Sequence, residues 1–232
     1  MAIAVKRNGE APGTNGTGQK RDPERTRQRI MDAATHEFAT KGLAGARIAD
    51  IAARAGANKR MLYHYFGDKE ALFLAVLENA YAAIRMRERA LDLEHLAPEA
   101  AMRRLIETTW DHYIERPEFL TLLGTENLHR ARHLKRSKRI REMHSPFADM
   151  LRDILRRGEL AGVFRAGVDP VELYVTIAGL GWFHLSNQHT LSVIFERDLG
   201  GAAALARRRA HMVEVVLGYL RPTGPAGSPK AA

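Results

Sequence analysis

From Asp22 to Leu220 the apolar residues recur every three or four positions, and the breaks between these runs carry helix-capping residues rather than hairpin turns. That period buries one face of a helix; a strand would alternate every second residue. The helix starts are explicit. Asp22-Pro23-Glu24 sets a capping side chain, a first-turn proline and an acid at the positive end of the dipole in order. Ile30, Ala34 and Phe38 follow on one face, and Gly42 is the expected stop. Two short helices are expected over 48–55, ending at Gly56, and from Asn58 to Gly67, before Asp68 caps a long fourth helix bearing Leu72, Val76, Ala80 and Ile84 on one face. Further helices are expected at 98–115, 117–128, 130–142 and 144–157, with Gly158 closing the last. Asp169-Pro170-Val171-Glu172 opens another, to about Gln188, and the final one spans 202–220 before Pro222. The chain reads as all-α, with nine or ten helices and no internal repeat.

Composition narrows the chemistry. The absence of cysteine among 232 residues removes disulfides, Cys-based zinc sites and thiolate nucleophiles. The longest uncharged apolar stretch, 173–183, is too short to span a bilayer, and residues 1–20 hold no apolar signal core. A soluble, cytoplasmic protein with no membrane partner is expected, and the Asn15-Gly16-Thr17 sequon is expected to be idle. The net charge of +9 is uneven: residues 1–72 hold 13 basic and 8 acidic groups, residues 73–128 hold 6 and 10, and residues 129–141 hold 7 and none. A concentrated positive charge points to a polyanionic partner. Residues 1–21 read as a flexible basic arm and 222–232 as a flexible tail, because neither can bury enough apolar surface to order alone.

The stretch from Ile51 to Phe66 carries the most information. Two short helices joined through Gly56 form a helix-turn-helix pattern, with Ala52 and Ala55 small enough for close packing. In the third helix Leu62 and Phe66 must face the core, which turns Lys59, Arg60, Tyr63 and His64 outward. Lys59 and Arg60 lie in the first turn, where a recognition helix meets base edges, and Tyr63, His64 and Tyr65 suit phosphate or thymine-methyl contacts.

Ile51-Ala52, Ala55-Gly56, Leu62-Tyr63, Tyr65-Phe66 and Lys69-Glu70-x-Leu72 together resemble the DNA-binding signature of TetR-type (tetracycline-repressor-like) transcriptional regulators, over residues 22–72. The resemblance implies an N-terminal three-helix helix-turn-helix domain (22–72) and a larger helical effector-binding and dimerisation domain (73–221). It places Lys59, Arg60 and Tyr63 nearest the bases of a double-stranded DNA operator, and His64, Tyr65 and Lys69 on phosphates. Asn58 keeps a capping side chain. Where the family has Thr or Ser before the second helix, this chain has Ala46-Arg47; Arg47 can reach a phosphate, but the lost cap costs about 1 kcal/mol.

The resemblance further implies a homodimer on a palindromic operator, released from it by a small-molecule effector, and most simply a repressor. Its last two long helices would form the dimer contact, through Val171, Tyr174, Val175 and Ala178 on one and Met212, Val213, Val216, Leu217 and Leu220 on the other. Trp110, Tyr113, Phe119, Asn127, Phe147, Trp182, Phe183 and Asn187, aromatic or amide groups on otherwise apolar helices, are the candidate walls for a planar or aromatic effector. The alternative is a helical small-molecule-binding or adaptor protein whose helix-turn-helix is structural. No cofactor, metal or enzymatic motif is evident: His129 and His133 share a face among seven cations, and Gly179-x-Gly181 lacks the rest of a dinucleotide fingerprint. Those two glycines are expected to let helices or subunits pack closely.

Overall fold

In the computed structural model, which describes residues 22–222, nine α-helices and no strands are found among the described residues. They are α1 (Pro23–Gly45), α2 (Ile48–Ala55), α3 (Lys59–Phe66), α4 (Lys69–Arg89), α5 (Pro98–Glu115), α6 (Pro117–Leu128), α7 (Lys138–Leu160), α8 (Pro170–Ile194) and α9 (Ala202–Leu220). The expected arm, with its sequon, and residues 223–232 of the expected tail lie outside the described residues. The capping signals act as read. Asp22 accepts from the Glu24 and Arg25 N–H groups, Asn58 from Met61, Asp68 from Ala71, and Asp169 from Val171 and Glu172. α1 kinks at Gly42 before its last half-turn.

Two main apolar cores result. Ile30, Phe38, Ile51, Leu62, Leu72 and Phe73 centre the first, which ties α1–α3 to the start of α4 and also takes in Leu122 of α6. α5, α7, α8 and α9 enclose the second, around Leu105, Ile106, Leu151, Ile154, Ile177 and Met212. A smaller cluster of Ile84, Tyr113, Phe119 and Leu120 lies where α4 reaches the body of the protein. The first core thus continues past residue 72 along α4 to Leu77.

Two expectations change. Residues 130–137 are not helical in the α sense: Arg130 and Ala131 adopt left-handed backbone (φ 54° and 57°), and a short 3₁₀ turn covers Leu134–Arg136. Buried Glu126 dictates this, because its Oε1 accepts from the N–H groups of His133 (2.8 Å) and Leu134 (2.9 Å) while Oε2 meets His133 Nδ1. His133 Nδ1 is thereby committed to Glu126, and the His129 ring meets the His133 ring edge to face at 5.8 Å. Three of the segment's seven cations are turned to α4: Arg132 and Arg136 reach Glu70 and Arg139 reaches Glu78, while Ser137 Oγ donates to Glu78 at 2.6 Å.

The second change is α7, a single helix rather than two. It runs through Pro146, because a continuous buried stripe of Ile140, Phe147, Leu151, Ile154 and Leu155 outweighs the roughly 3 kcal/mol that an interior proline costs. It also runs past Gly158, whose missing Cβ leaves room for the Phe164 ring packed against it. Gly158→Ala would force that buried ring aside and should cost about 1–3 kcal/mol, read as a lowered urea midpoint with an unchanged slope.

Candidate functional site

The helix-turn-helix is built from a left-handed Gly56 (φ 58°), a conformation cheap for glycine alone, which turns the chain out of α2. α3 is anchored by the buried Leu62 and capped by Asn58, whose side chain is occupied by the Met61 N–H at 2.9 Å. Lys59, Arg60, Tyr63 and His64 all project to solvent, Tyr63 with half its surface exposed. Tyr65 is half-buried, its ring 5.4 Å from that of His64. Arg47 stands at the start of α2 and makes no side-chain cap, leaving its guanidinium exposed. Lys69 donates to the Ala44 carbonyl at 3.2 Å, stapling the end of α1 to the start of α4.

The candidate effector residues divide. Tyr113 and Phe119 stack at 5.9 Å in the small cluster with Ile84 and Leu120, whereas Phe147 lies in the main core, packed on Tyr174 at 5.1 Å. Trp110 is buried in the main core, its ring 5.8 Å from His184. Asn127, Trp182 and Phe183 are exposed, and both Asn127 and Asn187 donate their amides to carbonyls one turn back on their own helices, so Asn127, Phe183 and Asn187 do not enclose anything with the first group. Trp182 instead flanks an open groove with Tyr113, Leu120 and Ser186.

Residues that the sequence reading passed over complete the enclosed group. Arg85 and Glu88 of α4 are both 2% exposed and lie 3.1 Å apart, yet poorly aligned: all three guanidinium nitrogens and both carboxylate oxygens lack a hydrogen-bond partner among the described residues. The Arg85 guanidinium sits 3.9 Å over the Phe147 ring and 5.8 Å from that of Tyr174. Tyr81, at 5.5 Å from Phe119 and 5.2 Å from His144, and His112, at 5.4 Å from Phe119, close the ring of aromatics. The signal was present, since Leu77, Tyr81, Ile84, Arg85 and Glu88 follow one another at helical spacing on the face that buries Ile84. A cleft of about 410 Å³, lined by Thr35 and His36 of α1, Ala80 and Ala83 of α4, and His112 and Phe119, opens beside this group.

Burial controls the charges here. It pushes Glu88 up to about 7, against the pull of Arg85. His112 is held down at about 4, first by burial and then by Arg87 and Arg116. Tyr81 is pushed up to about 12 and Tyr174 above its ordinary value by the same desolvation. For Glu88 the folded value is raised, so its contribution to stability is full below pH 4.5 and is lost as pH rises through 7. Glu88→Gln should remove a loss of roughly 2–3 kcal/mol between pH 5 and pH 8, measured as the change in variant-minus-wild-type unfolding free energy between the two.

The expected dimer residues also divide. Met212, Val213, Val216 and Leu220 are at most 2% exposed and face the subunit's own core, so they are not available to a partner; Leu217 is half-buried, and Tyr174 packs on Phe147 at 5.1 Å. The error was one of helix face: α9 turns its long apolar side inward. What α8 leaves exposed is Val171, Val175, Trp182, Phe183, Val193 and Ile194, with half-buried Ala178 and Gly179 between them. Gly181 faces the opposite way, where a Cβ would come 3.1 Å from the Tyr113 ring.

An exposed helix-turn-helix on an all-helical body defines a DNA-binding regulator of transcription, and comparison with known proteins sharpens the class. Residues 30–76 match the family model for bacterial regulatory proteins of the tetR family, and residues 98–216 match the tetracyclin repressor-like C-terminal domain. The HTH-type transcriptional repressor NicS of Pseudomonas putida is 39% identical over 209 residues, covering 90% of this chain and 99% of that protein. The HTH-type transcriptional repressor SCO4008 of Streptomyces coelicolor is 34% identical over 165 residues, covering 70% and 80%. The crystal structure of SCO4942 from Streptomyces coelicolor superposes with a TM-score of 0.64 at 27% identity, covering 84% of this chain and 98% of that one. The chain belongs to the TetR family: it is a DNA-binding transcriptional regulator and not an enzyme. Among the described residues no helix is long and apolar enough to cross a membrane.

Proposed function

We propose that this protein is a dimeric repressor that holds a palindromic operator and is released from it by a small molecule bound among Tyr113, Phe119 and Phe147. One observation carries the reading: α4 is a single helix that supplies Leu72, Phe73, Val76 and Leu77 to the core beneath the recognition helix and Arg85 and Glu88 to the buried aromatic group. A ligand that repositions the far end of α4 therefore acts on the spacing of the recognition helices. It weakens DNA binding by its differential affinity for the two arrangements. In this reading Lys59, Arg60 and Tyr63 contact base edges, and Arg47, His64, Tyr65 and Lys69 contact phosphates, with Lys69 exchanging its Ala44 carbonyl for one.

The exposed face of α8 suits a second copy of the chain. Val171, Val175, Trp182 and Phe183 form an apolar stripe, and Val215 and Tyr219 on α9 are also exposed. Two-fold symmetry of such a contact gives two half-sites related by the same axis. Trp182 and Phe183, first considered as effector walls, belong to this face.

Duplexes selected from a random pool should bind tightly, with an affinity that falls steeply with salt. Lys59→Ala, Arg60→Ala and Tyr63→Ala should each cost about 1–3 kcal/mol of operator binding where a base contact is lost. Selected duplexes bound no better than random DNA would leave the helix-turn-helix a structural element. The double variant Val175→Glu/Phe183→Glu should sediment as a monomer and, losing the second half-site, bind the operator roughly 10²–10⁴-fold more weakly. A dimer persisting in that variant would place the interface elsewhere.

A further inference from the structure

Four of the seven cations between α6 and the first turn of α7 meet no acid of their own subunit. Arg130, Lys135, Lys138 and Arg141 are exposed and make no ion pair among the described residues, whereas Arg132, Arg136 and Arg139 are turned to Glu70 and Glu78. The segment lies beside the helix-turn-helix end of α4. Arg132 Nη2 is 2.5 Å from Glu70, the His133 ring is 5.1 Å from Phe73, and Leu134 packs on the core beneath the recognition helix. Glu70 follows Lys69, whose Nζ reaches back to Ala44, three residues before Arg47. A basic surface thus continues from Arg47 and Lys69 onto the body of the protein. We infer that this surface is a second DNA contact, in which Arg130, Lys135, Lys138 and Arg141 meet the phosphate backbone flanking each half-site. It rests on the reading of α3 as the helix that enters the major groove.

The local chemistry favours a polyanion. The duplex continues past the groove that α3 occupies, with one phosphate charge about every 1.7 Å of its axis. Residues 129–141 offer seven cations and no acid, and Glu70 and Glu78 offset only two of them. These cations stand against local preference. Lys138 and Arg139 open α7, whose first turn holds no acid, at the end of the helix dipole that attracts anions. Arg130 is presented from left-handed backbone (φ 54°), a conformation unfavourable to any residue with a side chain. Buried Glu126 fixes the segment through the N–H groups of His133 and Leu134, so the charges are held on a ridge before DNA arrives. That ridge is no reader of bases: residues 130–137 contain only a 3₁₀ turn, and a groove admits an α-helix or a two-stranded ribbon. Phosphates are what it can reach, independent of the flanking sequence. An acidic protein partner would need apolar surface at the centre of the contact. Here Ile140 is buried and Leu134 is packed on the subunit's own core.

The experiment is a salt titration of binding by the full-length protein, followed by fluorescence anisotropy, on the duplex selected from a random pool. One duplex is cut to its two half-sites, and a second carries about ten further base pairs of arbitrary sequence at each end. The wild type should bind the longer duplex at least about 10-fold more tightly at low salt, and the slope of log affinity on log salt should steepen by about one to two for each subunit bound. Changing the flanking sequence should alter neither value. In the quadruple variant Arg130→Gln/Lys135→Gln/Lys138→Gln/Arg141→Gln both gains should vanish, while affinity for the short duplex stays within about threefold of wild type. Arg130→Lys/Arg141→Lys, which keeps the charges, should keep the gains. A wild type indifferent to duplex length, which needs no variant to fold, or a quadruple variant that keeps both gains would overturn the inference. Equal weakening on both duplexes would overturn it too, by placing the cations on the half-site itself. On long random duplex the quadruple variant should again show the shallower slope. Failure to select any specific duplex, with that difference in slope present, would overturn the reading of α3 and leave this contact standing.

Discussion

Everything in this molecule hangs on α4 belonging to two cores at once. Its first half is clamped between α1 and α6 by Leu72, Phe73, Val76 and Leu77, all essentially inaccessible to water. Its second half carries Ile84 into a separate cluster with Tyr113 and Phe119. The segment between α6 and α7 reinforces the first half from outside. The ion pairs from Arg132, Arg136 and Arg139 to Glu70 and Glu78 are largely exposed, worth at most about 1 kcal/mol each. The apolar contacts of Leu122 and Leu134, and the His133 ring 5.1 Å from Phe73, hold the junction more firmly.

That junction depends on one buried carboxylate. Glu126 satisfies two backbone N–H groups of a segment whose preceding residues, Arg130 and Ala131, are both left-handed. Conformations of that kind cost side-chain-bearing residues about 1 kcal/mol or more each, so they persist where the surroundings over-determine them. The seven cations of residues 129–141, which suggested a second polyanion contact, thus include three that bind the regulator's own α4.

Much of this was legible beforehand because it is local. Asp22, Asn58, Asp68 and Asp169 announce helix starts through side chains that reach only two or three residues, and Gly56 announces the turn through its own backbone. The exposed set of α3 followed from the need to bury Leu62. What escaped is non-local. Residues 130–137 leave the helix because of Glu126, and α7 ignores Pro146 because of a stripe that meets α4, α5 and α8. The face of α9 was misjudged because that helix carries more apolar surface than one contact needs, and periodicity does not say which side turns inward. Arg85 and Glu88 were missed because charges are assumed to face water; only the packing of Phe147 and Tyr174 over them reveals otherwise.

The buried Arg85–Glu88 pair also sets a limit on how this protein can be improved. Replacing it with well-packed apolar side chains is the kind of change that raises melting temperature. A laboratory selection for heat resistance, run on the free protein, would therefore remove these two residues early and at little apparent cost. A lineage that keeps them is holding back thermal robustness at a place where its helices are poorly satisfied.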